Sequence, residues 1–391
     1  MFAMTKNMKR AIAIISFIII QNIFGQVTFV VEAPKENLNN TSIYISGDFE
    51  GWTGGQEVYQ LSQKKELYFI TLPKQKGEIN FKFTQGSWDS VETNIKGLNI
   101  ANRLYVFNKL NDTIKLKIAS WNYSDVFTPK KHTVLNNVFV LPTNFEIPQL
   151  NRTRKIWIYF PPNYHNSNTL YPVLYMHDGQ NLFDAATSFS GEWQVDETLN
   201  KLYEENGFEL IVIGIDNGGE KRLDEYSPWK NEKYGGGEGV AYVDFLVKTL
   251  KPFVDKNYRT LTDRESTLIM GSSMGGLISY YAALKYSNVF GKAGLFSPAL
   301  WFSNESFKLA KEKGNLKETK MYFLAGDREG DNVKFEEINQ TVSDMNKVVT
   351  LLKDEGFTSD NIFTKVVSDG KHNEELWRNN FEEAILWLLA K

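Results

Sequence analysis

The chain is read as two domains, a small all-β sandwich followed by a larger α/β domain with a mostly parallel sheet. Three observations predict this. Residues 27 to about 120 run in short alternating apolar and polar stretches broken by turn residues, as half-buried strands do. From about 136 onward, continuous apolar runs alternate with amphipathic stretches, the pattern of strands buried on both faces between helices. A length of 391 residues, 42% hydrophobic and 23% charged, fits two globular domains and excludes wholesale disorder or collagen-like repeats.

Residues 1–25 stand apart from both domains. Lys6, Lys9 and Arg10 precede a short, largely apolar stretch, Ala11 to Ile20, and Gly25 stands before a cleavage point. This predicts a secretory signal peptide. The apolar stretch falls short of the roughly 20 residues a spanning helix needs. The mature chain is therefore expected to be exported, to the periplasm or beyond, with no membrane span. Its removal takes away three positive charges and leaves −6 from the formal −3 of the whole chain. With no basic stretch, nucleic acid is not an expected partner. Cysteine is absent, which excludes disulfides, a thiol nucleophile, thiolate zinc sites and a lipidated anchor. Only four histidines, His132, His165, His177 and His372, could supply an imidazole.

In chain order, residues 26–121 form the sandwich, with strands at Val27–Val31, Ser42–Ser46, Leu67–Leu72, Ile79–Thr84 and Thr113–Ile118. Residues 122–135 are polar, carry Pro129 and read as a linker in which His132 is solvated. Residues 136–391 form the α/β domain. Its strands are expected at Lys155–Phe160, Pro172–His177, Leu210–Ile215, Ser266–Met270, Lys292–Phe296 and Lys320–Ala325. Its helices are expected at Glu197–Glu205, Gly239–Val254, Gly275–Tyr286 and Glu336–Glu355, with a last amphipathic helix after His372.

The chemistry is concentrated in Gly271-Ser-Ser273-Met-Gly275, a G-x-S-x-G match with a strand running in and a helix running out. That order lifts a serine hydroxyl above a sheet on a sharp, strained turn, and the flanking glycines remove side chains that would collide there. Phosphate loops need other glycine spacings, which the chain lacks. By spacing the nucleophile is Ser273, and Ser272 is not. In this arrangement the order is serine, acid, histidine, and only His372 follows the serine. The acid should follow the strand ending at Ala325, where Asp327, Glu329 and Asp331 all stand. An oxyanion would be held by the amide of Met274 and by one from the His177-Asp-Gly179-Gln-Asn181 turn, where Gly179 lets the backbone approach. His177 is read as supporting that turn.

These segments carry a resemblance. Val173-Leu-Tyr-Met-His-Asp-Gly-Gln-Asn-Leu-Phe-Asp184, Gly271-Ser-Ser-Met-Gly-Gly276, Ala325-Gly-Asp-Arg-Glu329 and Gly370-Lys-His372 resemble the esterase D family. That group includes enterochelin esterases, the feruloyl and acetylxylan esterases of carbohydrate esterase family 1, and mycolyltransferases. Gly214 to Arg222 and Glu225-Tyr-Ser-Pro-Trp229 are similar to secreted bacterial members. The resemblance covers about residues 136–391 and implies an α/β-hydrolase with its acid on Glu329. Reach along the loop also favours Glu329, and Asp327 is the rival. The N-terminal stretches Ser42–Trp52 and Phe81–Glu92 resemble starch- and glycogen-binding sandwich modules of families 20 and 48, which implies carbohydrate stacking on Trp52 and Trp88.

Together these readings predict an exported serine esterase that forms an acyl-enzyme on Ser273, with His372 as base and Glu329 as its partner. The expected substrate is an acetyl or feruloyl ester on a polysaccharide. A siderophore esterase is the alternative within the same chemistry, and a non-catalytic glycan-binding surface protein is the alternative outside it. No metal and no organic cofactor is required. The sequence does not fix an oligomeric state.

Overall fold

The computed structural model describes residues 26–34, 42–50, 52–74, 77–98, 100–109, 111–122, 131–188, 191–312, 319–330 and 339–390. The expected signal peptide, most of the expected linker and Asp331 lie outside the described residues. The chain divides into two compact units, Met1–Tyr123 and Ser124–Lys391.

The first unit is all-β. One sheet runs β3 (Ser62–Lys64), β4 (Leu67–Pro73), β1 (Gln26–Glu32) and β7 (Asn111–Lys117). A second runs β2 (Tyr44–Gly47), β5 (Glu78–Thr84) and β6 (Arg103–Val106). Val27, Phe29 and Val31 alternate inward from β1 and share one core with Ile45, Phe81 and Phe83 of the second sheet. That shared core makes the two sheets a sandwich. β3 and β6 fall outside the expected strands. Each presents at most one buried side chain, so neither shows the alternation by which a strand is read.

The second unit is built on one eight-stranded sheet. In chain order its strands are β8 (Val138–Val140), β9 (Ile156–Tyr159), β10 (Val173–His177), β11 (Ile211–Ile215), β12 (Thr267–Ser272), β13 (Lys292–Phe296), β14 (Lys320–Gly326) and β15 (Ile362–Val367). In space the order is β8-β9-β11-β10-β12-β13-β14-β15. At one end β8–β9 and β9–β11 pair antiparallel, and the five remaining pairings, from β11–β10 to β14–β15, are parallel.

The inner strands are buried on both faces. Val173 and Tyr175 enter one core, Leu174 and Met176 the other. α1 (Val195–Asn206) and α4 (Glu374–Leu389) cover one face through Leu199, Leu202, Phe381 and Ile385. α2 (Met274–Lys285) and α3 (Gln340–Asp354) cover the other through Leu277, Ile278, Met345 and Val348. They are joined there by a helical run, Gly239–Phe245, Leu246–Leu250 and Lys251–Asn257. Its middle segment is a π turn, placed just before Pro252, which has no N–H to donate into the helical ladder. The two sheet-edge strands, β8 and β15, were not expected. Each keeps one side open to solvent, and Thr364 and Lys365 interrupt the apolar run of β15.

The expected linker needs a correction at its end. Residues 131–135 are part of the second unit, and His132 is not simply solvated. Its Nδ1 lies 2.7 Å from Oδ2 of buried Asp184, although the ring itself stays exposed. Thr133 donates its N–H to the same carboxylate, and the Leu135 N–H bonds Asp196. Polar residues that anchor a strap to buried acids look the same in sequence as a solvated linker.

Candidate active site

The elbow forms where β12 ends and α2 begins. Ser273 sits between them at φ 57° and ψ −120°, a region that side chains other than glycine rarely enter. Its N–H bonds the Phe296 carbonyl at 2.9 Å, and its carbonyl accepts the Ala299 N–H at 3.0 Å, so the end of β13 and the segment after it fix the strained residue from both sides. Ser272 is buried at 6% exposure, whereas Ser273 is half-buried. The flanking glycines are needed for space. A Cβ on Gly271 would stand 2.7 Å from the Gly275 carbonyl carbon and 2.9 Å from the His177 ring. One on Gly275 would stand 3.2 Å from the His177 Cβ.

Those contacts also place the turn after β10 directly against the elbow. Asp178 adopts φ 57°, ψ 48° and Gly179 opens a short 3-10 turn, Gly179–Asn181. Gly179 and Met274 thus both occupy first helical positions, where an amide has no partner within its own helix. The reason for Gly179 differs from the one expected. Its missing Cβ faces β11, with the Asp216 nitrogen and the Gly214 and Ile215 carbonyl carbons each 2.9 Å from where it would stand. The glycine serves close packing of the turn on β11. The turn is further held by Arg222, whose Nε and Nη2 donate to Asp178 Oδ1 and Oδ2 at 2.7 and 2.9 Å, and by Asn217 at 2.8 Å.

His177 is buried and its Nδ1 lies 2.9 Å from the Tyr242 hydroxyl. Burial pushes its pKa down to about 3, so it is neutral at physiological pH. It fills space behind the elbow, in line with a supporting role.

His372 and Glu329 meet across two tight turns. His372 Nδ1 lies 2.9 Å from Glu329 Oε2. Glu329 is 5% exposed, and its other oxygen accepts the Ser297 hydroxyl and, at 2.7 Å, the Gly326 N–H. Burial alone would raise its pKa, but the hydrogen bonds and charge of His372, with Ser297 and Gly326, hold it below the usual carboxylate range. Trp377 donates its indole N–H to Ser297 Oγ at 2.9 Å and stands edge-on to the His372 ring, 5.2 Å between centroids. The N-cap of α3, Asn339, donates to the Glu329 carbonyl. Asp327, the rival acid, points elsewhere. Its side chain is 41% exposed and its nearest cation is Arg328, at 3.9 Å.

The geometry depends on a glycine pair. The Arg328 N–H bonds the Gly370 carbonyl at 2.9 Å, and a Cβ on Gly326 would lie 2.2 Å from that same oxygen. Only bare backbone lets the turn after β14 approach the turn before His372 this closely. Ser297 and Trp377 are supporting residues that sequence reading missed. Ser297 directly follows β13, but no spacing links it to residues 32 or 80 positions away.

In the first unit, Trp52 and Trp88 are brought together. The Trp88 indole N–H donates to the Trp52 carbonyl at 2.7 Å, the ring centroids are 5.8 Å apart and both residues are half-buried.

The sheet order and the strained serine between strand and helix make this an α/β-hydrolase, preceded by a small β domain. The chain belongs to the esterase family, whose model, named Esterase, matches residues 147–388. An uncharacterized protein of Bacillus subtilis, YbbA, is 28% identical over 250 residues, 61% of this chain and 93% of YbbA. Among solved structures, a ferulic acid esterase is 17% identical with a TM-score of 0.50, covering 65% of this chain and 98% of its own. The enterochelin esterase of Shigella flexneri is 15% identical with a TM-score of 0.50, covering 93% of this chain and 92% of its own. At such identities the two structures attest the fold. Among the described residues, no helix is long and apolar enough to cross a membrane.

Proposed function

We propose that this esterase-family protein cleaves carboxylic esters through an acyl-enzyme on Ser273. The observation that carries the proposal is the join between the strained serine and the Glu329–His372 pair. Phe296 holds the Ser273 N–H, and the next residue, Ser297, holds Glu329. In this reading the His372 Nε2 takes the Ser273 proton and returns it to the leaving alcohol. Glu329 keeps the other ring nitrogen protonated and stabilises the imidazolium, while the Gly179 and Met274 amides receive the oxyanion. Water then releases the acid by the reverse path.

The favoured substrate is an acetyl or feruloyl ester on a polysaccharide, met by an exported enzyme. The paired Trp52 and Trp88 support it from the first unit, since aromatic faces pack against the apolar faces of sugar rings. Trp301 supports it from the second. It lies two residues beyond Ala299, is 48% exposed and stands edge-on to Tyr234 at 5.6 Å, offering an aromatic surface on the segment after β13 whose Ala299 N–H bonds the Ser273 carbonyl. A siderophore ester is the second reading, favoured by the enterochelin esterase likeness, which extends over both units. Turnover of acetylated xylan, methyl ferulate and a ferric catecholate triester, measured side by side, tests the assignment. Dominant activity on the triester would replace the polysaccharide reading. No activity on any ester would remove the enzymatic one.

A further inference from the structure

A second group of charges lies at the start of α1. Glu192, Asp196 and Glu197 each bring a carboxylate oxygen to within 4.8 Å of the others. Asp196 is fully buried and Glu192 is 4% exposed. Asp196 Oδ2 accepts the Leu135 N–H at 2.9 Å, and Glu192 Oε1 accepts the Thr133 hydroxyl at 2.8 Å. The other Asp196 oxygen, Oδ1, and Glu197 Oε2 are shut off from solvent and meet no donor from outside the cluster; the Asp196 and Glu197 carboxyls lie within hydrogen-bonding reach of each other. Buried carboxylate oxygens without a donor or a cation are costly, and this site holds two.

The surroundings do not neutralise three carboxylates. The N-terminus of α1 contributes about half a positive charge. Arg378 is the cation that acts on Glu192, and its Nη1 also donates to the Glu192 carbonyl at 3.1 Å. His132 is engaged with Asp184.

We infer that Glu192, Asp196 and Glu197 form a binding site for a hard divalent cation, Ca²⁺, which clamps the strap 133–135 onto α1. The donor set is oxygen alone, which selects hard cations over zinc or copper. Three carboxylate oxygens within 4.8 Å of one another lie within reach of one Ca²⁺ at about 2.4 Å, whereas Mg²⁺ keeps several of its waters and is held by one or two carboxylates. The cation would satisfy the two orphaned oxygens. It would also bind the strap, because Thr133 and Leu135 bond to two of the same carboxylates. Its role is structural and separate from the chemistry proposed at Ser273.

The test uses the whole protein, stripped with a chelator and titrated with Ca²⁺ by calorimetry, with thermal unfolding followed in parallel. Tb³⁺ serves as a luminescent probe, because the buried Trp193 adjoins Glu192 and can sensitise it. The expected result is one Ca²⁺ per chain, a rise of several degrees in Tm, a weaker effect of Mg²⁺, and Tb³⁺ luminescence that Ca²⁺ displaces. Asp196→Asn and Glu197→Gln should each abolish the Ca²⁺-dependent rise, yet unfold no earlier than the stripped wild type, because each relieves repulsion. If Asp196→Asn fails to fold, Glu197→Gln decides. Absence of Ca²⁺ and Tb³⁺ binding at millimolar concentration, or an equal rise in both variants and wild type, would overturn the inference.

Discussion

The Nδ1 of His372 stands 2.9 Å from Oε2 of Glu329, and the approach is possible because Gly326 and Gly370 meet without side chains. Glu329→Gln should therefore keep the fold and lower kcat by about 10²–10⁴-fold, since the amide sets the wrong histidine tautomer. Asp327→Asn should stay within a few-fold of wild type. Steady-state kinetics on one soluble ester compares them, and a crippled Asp327→Asn beside an active Glu329→Gln would move the acid.

The glycine contact makes its own prediction. Gly326→Ala puts a methyl 2.2 Å from the Gly370 oxygen, so the two turns must part. The expected outcome is a folded protein destabilised by about 1–3 kcal/mol, with kcat falling more than KM changes. Unaltered kcat would mean that the pair does not depend on this approach.

Much of this site was legible in the sequence, and the limit was physical. The elbow is local, since five consecutive residues between a strand and a helix define it, and His372 followed by elimination. Glu329 was different. Asp327, Glu329 and Asp331 alternate on one segment, so spacing alone could not rank them, and the contact that points Glu329 inward involves Gly370, more than forty residues on. Ser297 and Trp377 carry no local mark at all. In the fold, the doubly buried strands announced themselves as apolar runs, whereas β8 and β15, at the sheet edges, did not.

Acid should weaken the fold through His177. Its folded pKa of about 3 lies below the ordinary 6.5, so between these values the unfolded chain binds the extra proton and stability falls as pH falls. Glu329, also held low, acts in the same direction at lower pH. From pH 7.5 to 4.5 the wild type should lose about 2–3 kcal/mol more than His177→Leu, read from denaturant midpoints. Equal losses would show that His177 is not buried as a neutral ring.

For the first unit, Trp52→Ala with Trp88→Ala should leave turnover of small soluble esters intact and reduce retention on insoluble polysaccharide. Pull-down on a set of glycans measures this. Retention unchanged on every glycan that binds the wild type would remove the pair from recognition.

The central claim is that Ser273 carries the acyl group. Covalent labelling with a fluorophosphonate, followed by peptide mass spectrometry, tests it most directly. One adduct per chain is expected, on Ser273, present in Ser272→Ala and absent in Ser273→Ala, with kcat of Ser273→Ala lower by roughly 10⁴-fold or more. An adduct on any other residue, or Ser273→Ala turning over ester near the wild-type rate, would contradict it.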